Sequence, residues 1–349
     1  MALLFNYSAN NITTTAQLPG AWAGIGGLPT LGVGDGPEGI NTVHTNGKSS
    51  WVFMANVSVA INGNGLVVGS GFNVGTFATF NTGLYAIGGN GANTTLMLLL
   101  GADGSLQLQI TDEAPIASAS GVFTFGNRHE VEVKVSAFST SGTVTVYLDG
   151  AAVTGLTAVA TGSLAGLADG ATIHTVQVGG CQVGGSATTI IVDSTYALDT
   201  TGSYDNAPLG PCLSAPMVPN APGNASAWTP NGAALGWECI SNIPAKGDAE
   251  YISSSTSGQQ ETCALSVPSY LTGVYGVNVI CDQRQDSAGG GRTTELGIGN
   301  GSTESYGSAW GLGTTYAMNS TAFSSNPFTS TGWALADLST LQVAVKCAS

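Results

Sequence analysis

The sequence predicts an all-β protein made of two β-sandwich (jelly-roll-like) domains in tandem. Residues 127–150 alternate between apolar and polar side chains, which is the period of a strand with one buried face. No window of about 12 residues has the period of an amphipathic helix, because Gly or Asn interrupts every candidate. Short apolar runs separated by Gly, Asn and Asp recur along the chain, which is typical of sandwiches and barrels.

The clearest element is a β-hairpin. Val131, Val133 and Val135 share one face of its first strand, and Glu130 and Glu132 share the other face, which we predict to be solvated. A Ser-Thr-Ser-Gly turn leads into a second alternating strand, and an Asp-Gly pair closes the hairpin.

The same criteria predict further strands along the chain. In order they are 51–61, 83–87, 95–100, 106–110, 122–125, 129–138, 143–148, 172–178, 188–192, 261–267, 274–283 and 338–346.

A domain boundary is predicted near a proline-rich passage. Five of the 13 prolines fall within residues 208–222, which favours an extended linker or an edge strand. Four of the six cysteines and four of the six tryptophans follow residue 224. We therefore divide the chain into a first domain at 1–205 and a second at 206–349.

Composition excludes several classes of partner. Only 8% of the 349 residues are charged, and the formal net charge is −14. Binding to nucleic acid or to an anionic membrane requires clustered cations, and the sequence has none. With no signal-peptide pattern and no apolar run of membrane-spanning length, we expect a soluble protein made without a secretion signal.

The six cysteines lack the Cys-x-x-Cys spacing of zinc and redox sites. We interpret them as small buried hydrophobic residues, with disulfides as the alternative. They are Cys181, Cys212, Cys239, Cys263, Cys281 and Cys347.

Several segments resemble a family of tailed-bacteriophage virion proteins that have an N-terminal laminin-G/concanavalin A-like sandwich and a C-terminal β-domain. The similar segments are the opening Met-Ala-Leu-Leu-Phe, the strand at 190–202, Asn-x-x-Leu-Gly at 206–210, Trp-Thr-Pro at 228–230, 248–254, and Asn-Pro-x-Thr…Trp at 326–333. The resemblance implies a virion protein made in the host cytoplasm, assembled with other virion proteins, homo-oligomeric, and able to contact a host-surface glycan. Ser194 stands where a second aspartate often follows, which argues against calcium there.

Two carboxylates on one strand, Glu130 and Glu132, have the arrangement of catalytic pairs in laminarinase-like glycoside hydrolases. The aspartate of that motif is replaced by valine here, so we interpret the pair as a solvated strand face and assign no catalytic residue.

Calcium is the one cofactor considered, because jelly-roll lectins bind it through loop carboxylates. The candidates are Asp35, Asp103, Asp112, Asp149 and Asp193, and turn formation is the alternative role for each.

Sugar binding requires exposed aromatic rings with polar neighbours. The candidates are Trp22, Trp51, Tyr85, Trp310 and Tyr316.

The sequence therefore predicts a non-enzymatic structural component of a bacteriophage virion, at the tail, the tail-fibre region or the head surface. The alternatives are a carbohydrate-binding lectin module, a head-decoration protein and a glycoside hydrolase. Fold alone does not separate them.

Overall fold

We describe the fold from a computed structural model of the chain. The structure describes backbone and side chains for residues 64–77, 81–88, 96–110, 114–160, 176–179, 188–242, 245–287 and 290–349. It describes the backbone alone for residues 3–7, 24–26, 30–32, 42–46, 51–60, 95, 172–175 and 180–181. The chain forms two compact units, Met1–Ser214 and Ala215–Ser349. This division falls a few residues after the predicted boundary at 205/206, so residues 206–214 belong to the first unit.

The first unit consists of antiparallel strands, as the sequence predicts. They are β1 (Leu3–Tyr7), β2 (Gly24–Gly26), β3 (Thr30–Gly32), β4 (Thr42–Asn46), β5 (Trp51–Ala60), β6 (Leu66–Val74), β7 (Thr82–Gly88), β8 (Thr95–Leu100), β9 (Leu106–Ile110), β10 (Ile116–Ala117), β11 (Arg128–Val135), β12 (Thr143–Leu148), β13 (Ala151–Ala152), β14 (Val159–Ala160), β15 (Thr172–Cys181) and β16 (Thr189–Asp199). One sheet has the order β13-β12-β11-β6-β16-β4-β3, and the other has the order β10-β9-β8-β7-β15-β5-β2. β1 also pairs with β16, and β14 pairs with β12.

The two sheets pack face to face around the core of this unit. Phe72 on β6 meets Tyr85 on β7 edge to face, with ring centroids 5.2 Å apart. The Tyr85 hydroxyl donates to the carbonyl of Val131 on β11 at 2.8 Å. Because a buried phenol needs a hydrogen-bond partner, this contact joins the sheets and also satisfies the ring's polar end.

The structure confirms the predicted hairpin. β11 and β12 pair in a register that sets Val131 opposite Leu148 and Val135 opposite Val144. The closing turn places Asp149 and Gly150 at φ of 51° and 82°, a left-handed pair typical of tight hairpin turns. The valine face lies in the core as expected.

Most predicted strands in the described residues are present, and one is wrong. Residues 122–125 form turns and bends, bounded by Gly121 and Gly126 at φ of 73° and 78°. The predicted strand at 338–346 begins inside a 3-10 helix, Leu335–Thr340. The main omission is β6, whose Gly-Ser-Gly centre resembles a loop in the sequence.

The second unit contains a larger sheet and two strand pairs. Its strands are β17 (Pro219–Ser226), β18 (Thr229–Asn231), β19 (Tyr251–Ser253), β20 (Gln260–Leu265), β21 (Val277–Gln283), β22 (Thr293–Gly299), β23 (Glu304–Tyr306), β24 (Trp310–Gly311), β25 (Ala317–Phe323) and β26 (Gln342–Cys347). The sheet order is β17-β20-β26-β22-β23, with β24 also on β22, and the pairs are β18-β19 and β21-β25. A short α-helix, α1 (Gly236–Ile240), and a 3-10 helix at Gly247–Ala249 precede β19.

The β21–β25 pair packs on the larger sheet through an apolar core. The buried members of this core are Val277, Val279, Leu296, Ile298, Trp333, Leu338 and Leu341. The Trp333 indole N–H donates to the carbonyl of Phe323 at 2.8 Å, so the largest ring of the core is hydrogen-bonded as well as buried.

The proline-rich passage supplies an edge strand, one of its two predicted forms. β17 lies at the end of its sheet and pairs with β20, with Pro219 opposite Leu265 and Pro222 opposite Cys263. Proline cannot donate a backbone hydrogen bond, which suits a strand with one unpaired side.

Candidate functional site

The outer face of the first sheet carries a cluster of buried polar side chains. β11 contributes Arg128, Glu130 and Glu132, and β16 contributes Asp193 and Tyr196. Both glutamates are fully buried, and Asp193 and Tyr196 are nearly so. The prediction of a solvated face at Glu130 and Glu132 is therefore wrong. We call these five residues the acid cluster.

Two glycines on β6 make room for the acid cluster. β6 lies between β11 and β16 and presents Gly69 and Gly71 to this face. A Cβ on Gly69 would overlap the Tyr196 ring, and a Cβ on Gly71 would overlap both the Arg128 guanidinium and the Asp193 carboxylate. Side chains from the two flanking strands can therefore meet across β6 only because it lacks side chains there.

A β-bulge places Asp193 and Tyr196 on the same face. Residues three apart on a regular strand point to opposite faces. Here the pairing with β6 shifts between Asp193 and Tyr196, and Ser194 has a φ of 49°. Thr195 is turned inward, where it accepts a hydrogen bond from Ser70 Oγ at 2.9 Å. The bulge re-aims one side chain, which is a common use of this irregularity.

Arg128 is the cation of the cluster. Its Nε and Nη2 donate to the two oxygens of Asp193 at 3.0 and 2.7 Å, and Nη2 also contacts Glu130 Oε2 at 2.9 Å. The fork-shaped contact with Asp193 is the strong geometry for an arginine–carboxylate pair. One guanidinium thus serves two buried carboxylates from different strands.

The cluster is covered by residues 209–214, which we call the strap. The backbone N–H groups of Leu209 and Gly210 both donate to Glu132 Oε1, at 2.6 and 3.1 Å. The Tyr196 hydroxyl donates to the same oxygen. Glu132 therefore binds the strap to the sheet through two consecutive backbone donors.

The far end of the strap is held in the same way. Arg128 Nη2 donates to the carbonyl of Cys212 at 3.3 Å, and the N–H of Ser214 donates to Ser194 Oγ at 3.1 Å. The strap is thus fastened along its length by side chains of β11 and β16.

Burial dominates the electrostatics of the cluster. It raises the pKa of Glu130 well above its usual value; Asp193 and Glu132 add to this, while Arg128 opposes it. Burial also raises the pKa of Tyr196 and of the Cys212 thiol. Within the described residues, Glu130 Oε1 and Glu132 Oε2 have no hydrogen-bond partner. Buried carboxyls with shifted pKa values are a recognised mark of functional sites and of structural networks.

The geometry favours a structural role for the cluster in this conformation. Neither glutamate is exposed, so neither can reach a substrate while the strap is in place. Glu132 binds the strap, and Glu130 and Asp193 pair with Arg128.

The three calcium candidates within the described residues do not converge. Ser120 and Ser105 donate to Asp103 and lower its pKa to about 2. Asp149 accepts the N–H of Glu130 at 2.9 Å and contacts His129, and Asp193 pairs with Arg128, while Asp35 and Asp112 lie outside the described residues. No group of three or more His, Cys, Asp or Glu side chains in the described part of the chain is arranged to hold a metal ion.

The sugar-binding candidates are divided between core and surface. Tyr85 is fully buried and bonded to Val131, so its selection as an exposed ring is corrected. Trp22 and the side chain of Trp51 lie outside the described residues. Trp310 and Tyr316 are exposed by 39% and 38%.

Tyr316 belongs to a polar surface group in the second unit. Asp248 Oδ1 accepts hydrogen bonds from Arg284 Nη2 at 2.7 Å and from the Tyr316 hydroxyl at 2.9 Å. The Arg284 guanidinium lies 5.1 Å from the centre of the Tyr316 ring. These contacts lower the pKa of Asp248, which stays ionised and exposed. We call these three residues the Arg–Tyr cluster.

Asp248 and Arg284 are not among the residues predicted from the sequence. Asp248 follows Gly247, which has a φ of 59°, and Arg284 follows the end of β21, so the fold alone brings them to Tyr316. One feature of the sequence could have pointed to Arg284: the chain has only seven Lys and Arg residues, so each cation is a candidate for a specific contact.

All five cysteines whose side chains are described are free thiols. Cys239, Cys263 and Cys347 are buried, and burial raises the pKa of Cys263 to about 12, which keeps it protonated. None of the helices in the described residues has the length and apolar character to cross a membrane.

Comparison with known proteins gives structural likeness without a family. No protein-family model and no curated protein matches the chain. Cellulose-induced protein Cip1 has a TM-score of 0.39 at 14% identity, covering 55% of this chain and 96% of Cip1. The alginate lyase Aly36B has a TM-score of 0.35 at 14% identity, covering 55% and 95%. Trypanosoma rangeli sialidase has a TM-score of 0.35 at 13% identity, and the match spans 49% of this chain and about a quarter (27%) of the sialidase.

These comparisons correct one prediction. Sialidase and alginate lyase are enzymes, so the prediction that the protein is not an enzyme is contradicted by the structures it is similar to. The likeness is too low to carry any activity, substrate or residue role to this chain. None of the three proteins is described as a virion protein.

Replacing Glu132 by Ala will release the strap. The substitution leaves the Leu209 and Gly210 N–H groups without their acceptor, which costs about 2–4 kcal/mol of unfolding free energy. Urea denaturation measures the loss, and limited proteolysis should show new cleavage within residues 209–214. The control, Glu295→Ala, removes a surface pair with Lys346 and should cost about 1 kcal/mol or less. Unchanged stability and protease resistance in Glu132→Ala would contradict the role of this carboxylate.

Replacing Glu130 by Gln will flatten the pH dependence of stability. Because the folded-state pKa of Glu130 lies above its unfolded value of 4.5, the folded state holds this proton more tightly. The wild type therefore loses unfolding free energy as pH rises from 4.5 toward the folded pKa, whereas the glutamine variant cannot ionise there. Denaturation midpoints between about pH 5 and pH 8 measure this, and parallel profiles for the two proteins would refute it.

Proposed function

We propose that this chain is a component of a tailed-bacteriophage virion and that its second unit contacts an uncharged carbohydrate on the host surface. The observation that carries the carbohydrate part is the Arg–Tyr cluster, an exposed ring with the Arg284 guanidinium over one face and the Asp248 carboxylate at its hydroxyl, which leaves the other face for a sugar. The virion part is supported by the resemblance of segments across residues 190–333 to phage virion proteins.

The chemistry of the Arg–Tyr cluster suits a sugar. An aromatic ring packs against the C–H face of a pyranose, and its polar neighbours bind the hydroxyls. Asp248 uses Oδ1 for both internal hydrogen bonds, so Oδ2 can accept from one sugar hydroxyl while Arg284 donates to the next. Two adjacent hydroxyls of a sugar can therefore bind Asp248 and Arg284 while the sugar packs on the Tyr316 ring.

Charge favours an uncharged glycan. The chain has a formal net charge of −14, and Asp248 balances the charge of Arg284 within the cluster. Acidic polysaccharides are repelled by such a surface. The low content of charged residues also limits nonspecific ionic adhesion, which suits a protein exposed on a particle.

Replacing Tyr316 by Ala will weaken glycan binding. Loss of the ring removes about 1–1.5 kcal/mol of stacking, so the affinity should fall about tenfold. An array of bacterial surface polysaccharides identifies the bound glycan, and calorimetry with that glycan measures the affinity. The control is Tyr275→Ala, an exposed tyrosine (47%) beyond the other end of β21, roughly 20 Å or more away along the strand. Absence of any bound glycan, or equal affinity for Tyr316→Ala and the wild type, would refute the carbohydrate proposal.

The virion proposal predicts that the protein is present in purified particles. Mass spectrometry of separated heads and tails should detect it in one fraction, and its recovery with tails would favour attachment over head decoration. Absence from both fractions would rule out a virion role but would leave the carbohydrate test unaffected.

A further inference from the structure

The second unit contains a cleft of about 200 Å³ away from the residues of the Arg–Tyr cluster. It lies between the loop at 326–331, the 3-10 helix Leu335–Thr340 and the turn after β22. Its lining residues are Asn300, Asn326, Phe328, Thr329, Trp333, Asp337, Thr340 and Leu341. Four of its lining residues belong to the Asn-Pro-x-Thr…Trp segment at 326–333, which has no chemical role predicted from the sequence.

The loop that forms one wall is held by internal hydrogen bonds. Asn326 Oδ1 accepts the N–H of Phe328 at 2.9 Å, and the Asn326 N–H donates to Thr331 at 2.9 Å in an isolated β-bridge. The N–H of Ser330 donates to the carbonyl of Asn326, and Ser330 takes a φ of 57°. Asn326 itself is only 4% exposed. A wall held by this many internal bonds is preorganised, which lowers the entropic cost of binding.

The polar groups of the cleft leave complementary atoms for a ligand. Asn300 uses Oδ1 to accept from Ser302 and Thr303, which leaves its amide NH₂ as a donor. Asn326 uses Oδ1 in the same way. Asp337 uses Oδ2 to cap the N–H of Ala334, which leaves Oδ1 as an acceptor. The cleft thus presents donors, an acceptor and a hydroxyl beside the aromatic rings.

We propose that this cleft binds one uncharged sugar residue. A pyranose offers hydroxyls that both donate and accept, and a C–H face that packs on a ring such as the partly buried Phe328. The volume lies below that of a drug-sized pocket, which restricts the occupant to a single ring. Asp337 is the charged lining residue and disfavours acidic sugars. The inference extends the proposed glycan contact but uses none of its residues.

Protein NMR of the full chain tests the proposal with methyl α-D-glucopyranoside, methyl α-D-mannopyranoside and N-acetyl-D-glucosamine as probes, and D-glucuronate as the charged comparison. At least one neutral probe should shift the Trp333 indole N–H and the backbone N–H of Thr329 and Thr340 in a saturable manner. D-Glucuronate should leave these signals unchanged. If no neutral probe shifts them at about 50 mM, well above a Kd of about 1 mM, the cleft is not a sugar site.

Two variants separate this cleft from the Arg–Tyr cluster. Asn300→Asp keeps the acceptor that organises the turn but removes the amide donor, so the affinity of the neutral probe should fall about tenfold. Tyr316→Ala should leave the Trp333 titration unchanged. If Asn300→Asp binds as the wild type does, or if Tyr316→Ala abolishes the Trp333 shift, the assignment to this cleft is wrong. Neither result bears on whether Tyr316 contacts a larger glycan.

Discussion

The buried carboxylate of Glu132 determines how the first unit ends. A carboxylate withdrawn from water must find hydrogen-bond donors, and here they are two consecutive backbone N–H groups of the strap and the Tyr196 hydroxyl. The chain that leaves β16 therefore returns over the outer face of the sheet before it enters the second unit. Arg128 completes the arrangement because it pairs with the neighbouring carboxylates and with a carbonyl of the strap. The arrangement is possible only because Gly69 and Gly71 of β6 have no side chains where the side chains of β11 and β16 meet.

The alternation of apolar and polar residues predicts the hairpin correctly but predicts exposure to solvent for an outer face that is buried. The valines of β11 belong in the core on their spacing alone, and they lie there. Whether the opposite face is wet depends on a segment that is distant in sequence, and the period of a strand carries no information about it. β6 was missed for a related reason. Its Gly-Ser-Gly centre resembles a loop, although the glycines sit in a strand where neighbouring side chains need the space.

The candidate surface groups were only partly predictable. Tyr316 and Trp310 could be named as aromatic residues, but the same reasoning also named Tyr85, which packs between the sheets. Composition cannot separate an exposed ring from a buried one. Asp248 and Arg284 come from separate segments that only the fold brings together. The same is true of the cleft beside residues 326–331, whose polar atoms are oriented by internal turns.

The edge strand β17 has a consequence for crowded assemblies. Pro219 and Pro222 have no backbone N–H to donate, so β17 offers an incomplete set of donors to a strand from another copy. Such an edge resists the indefinite sheet growth that produces fibrils. A contact that another copy made along this edge would rely more on side chains than on shared backbone pairing.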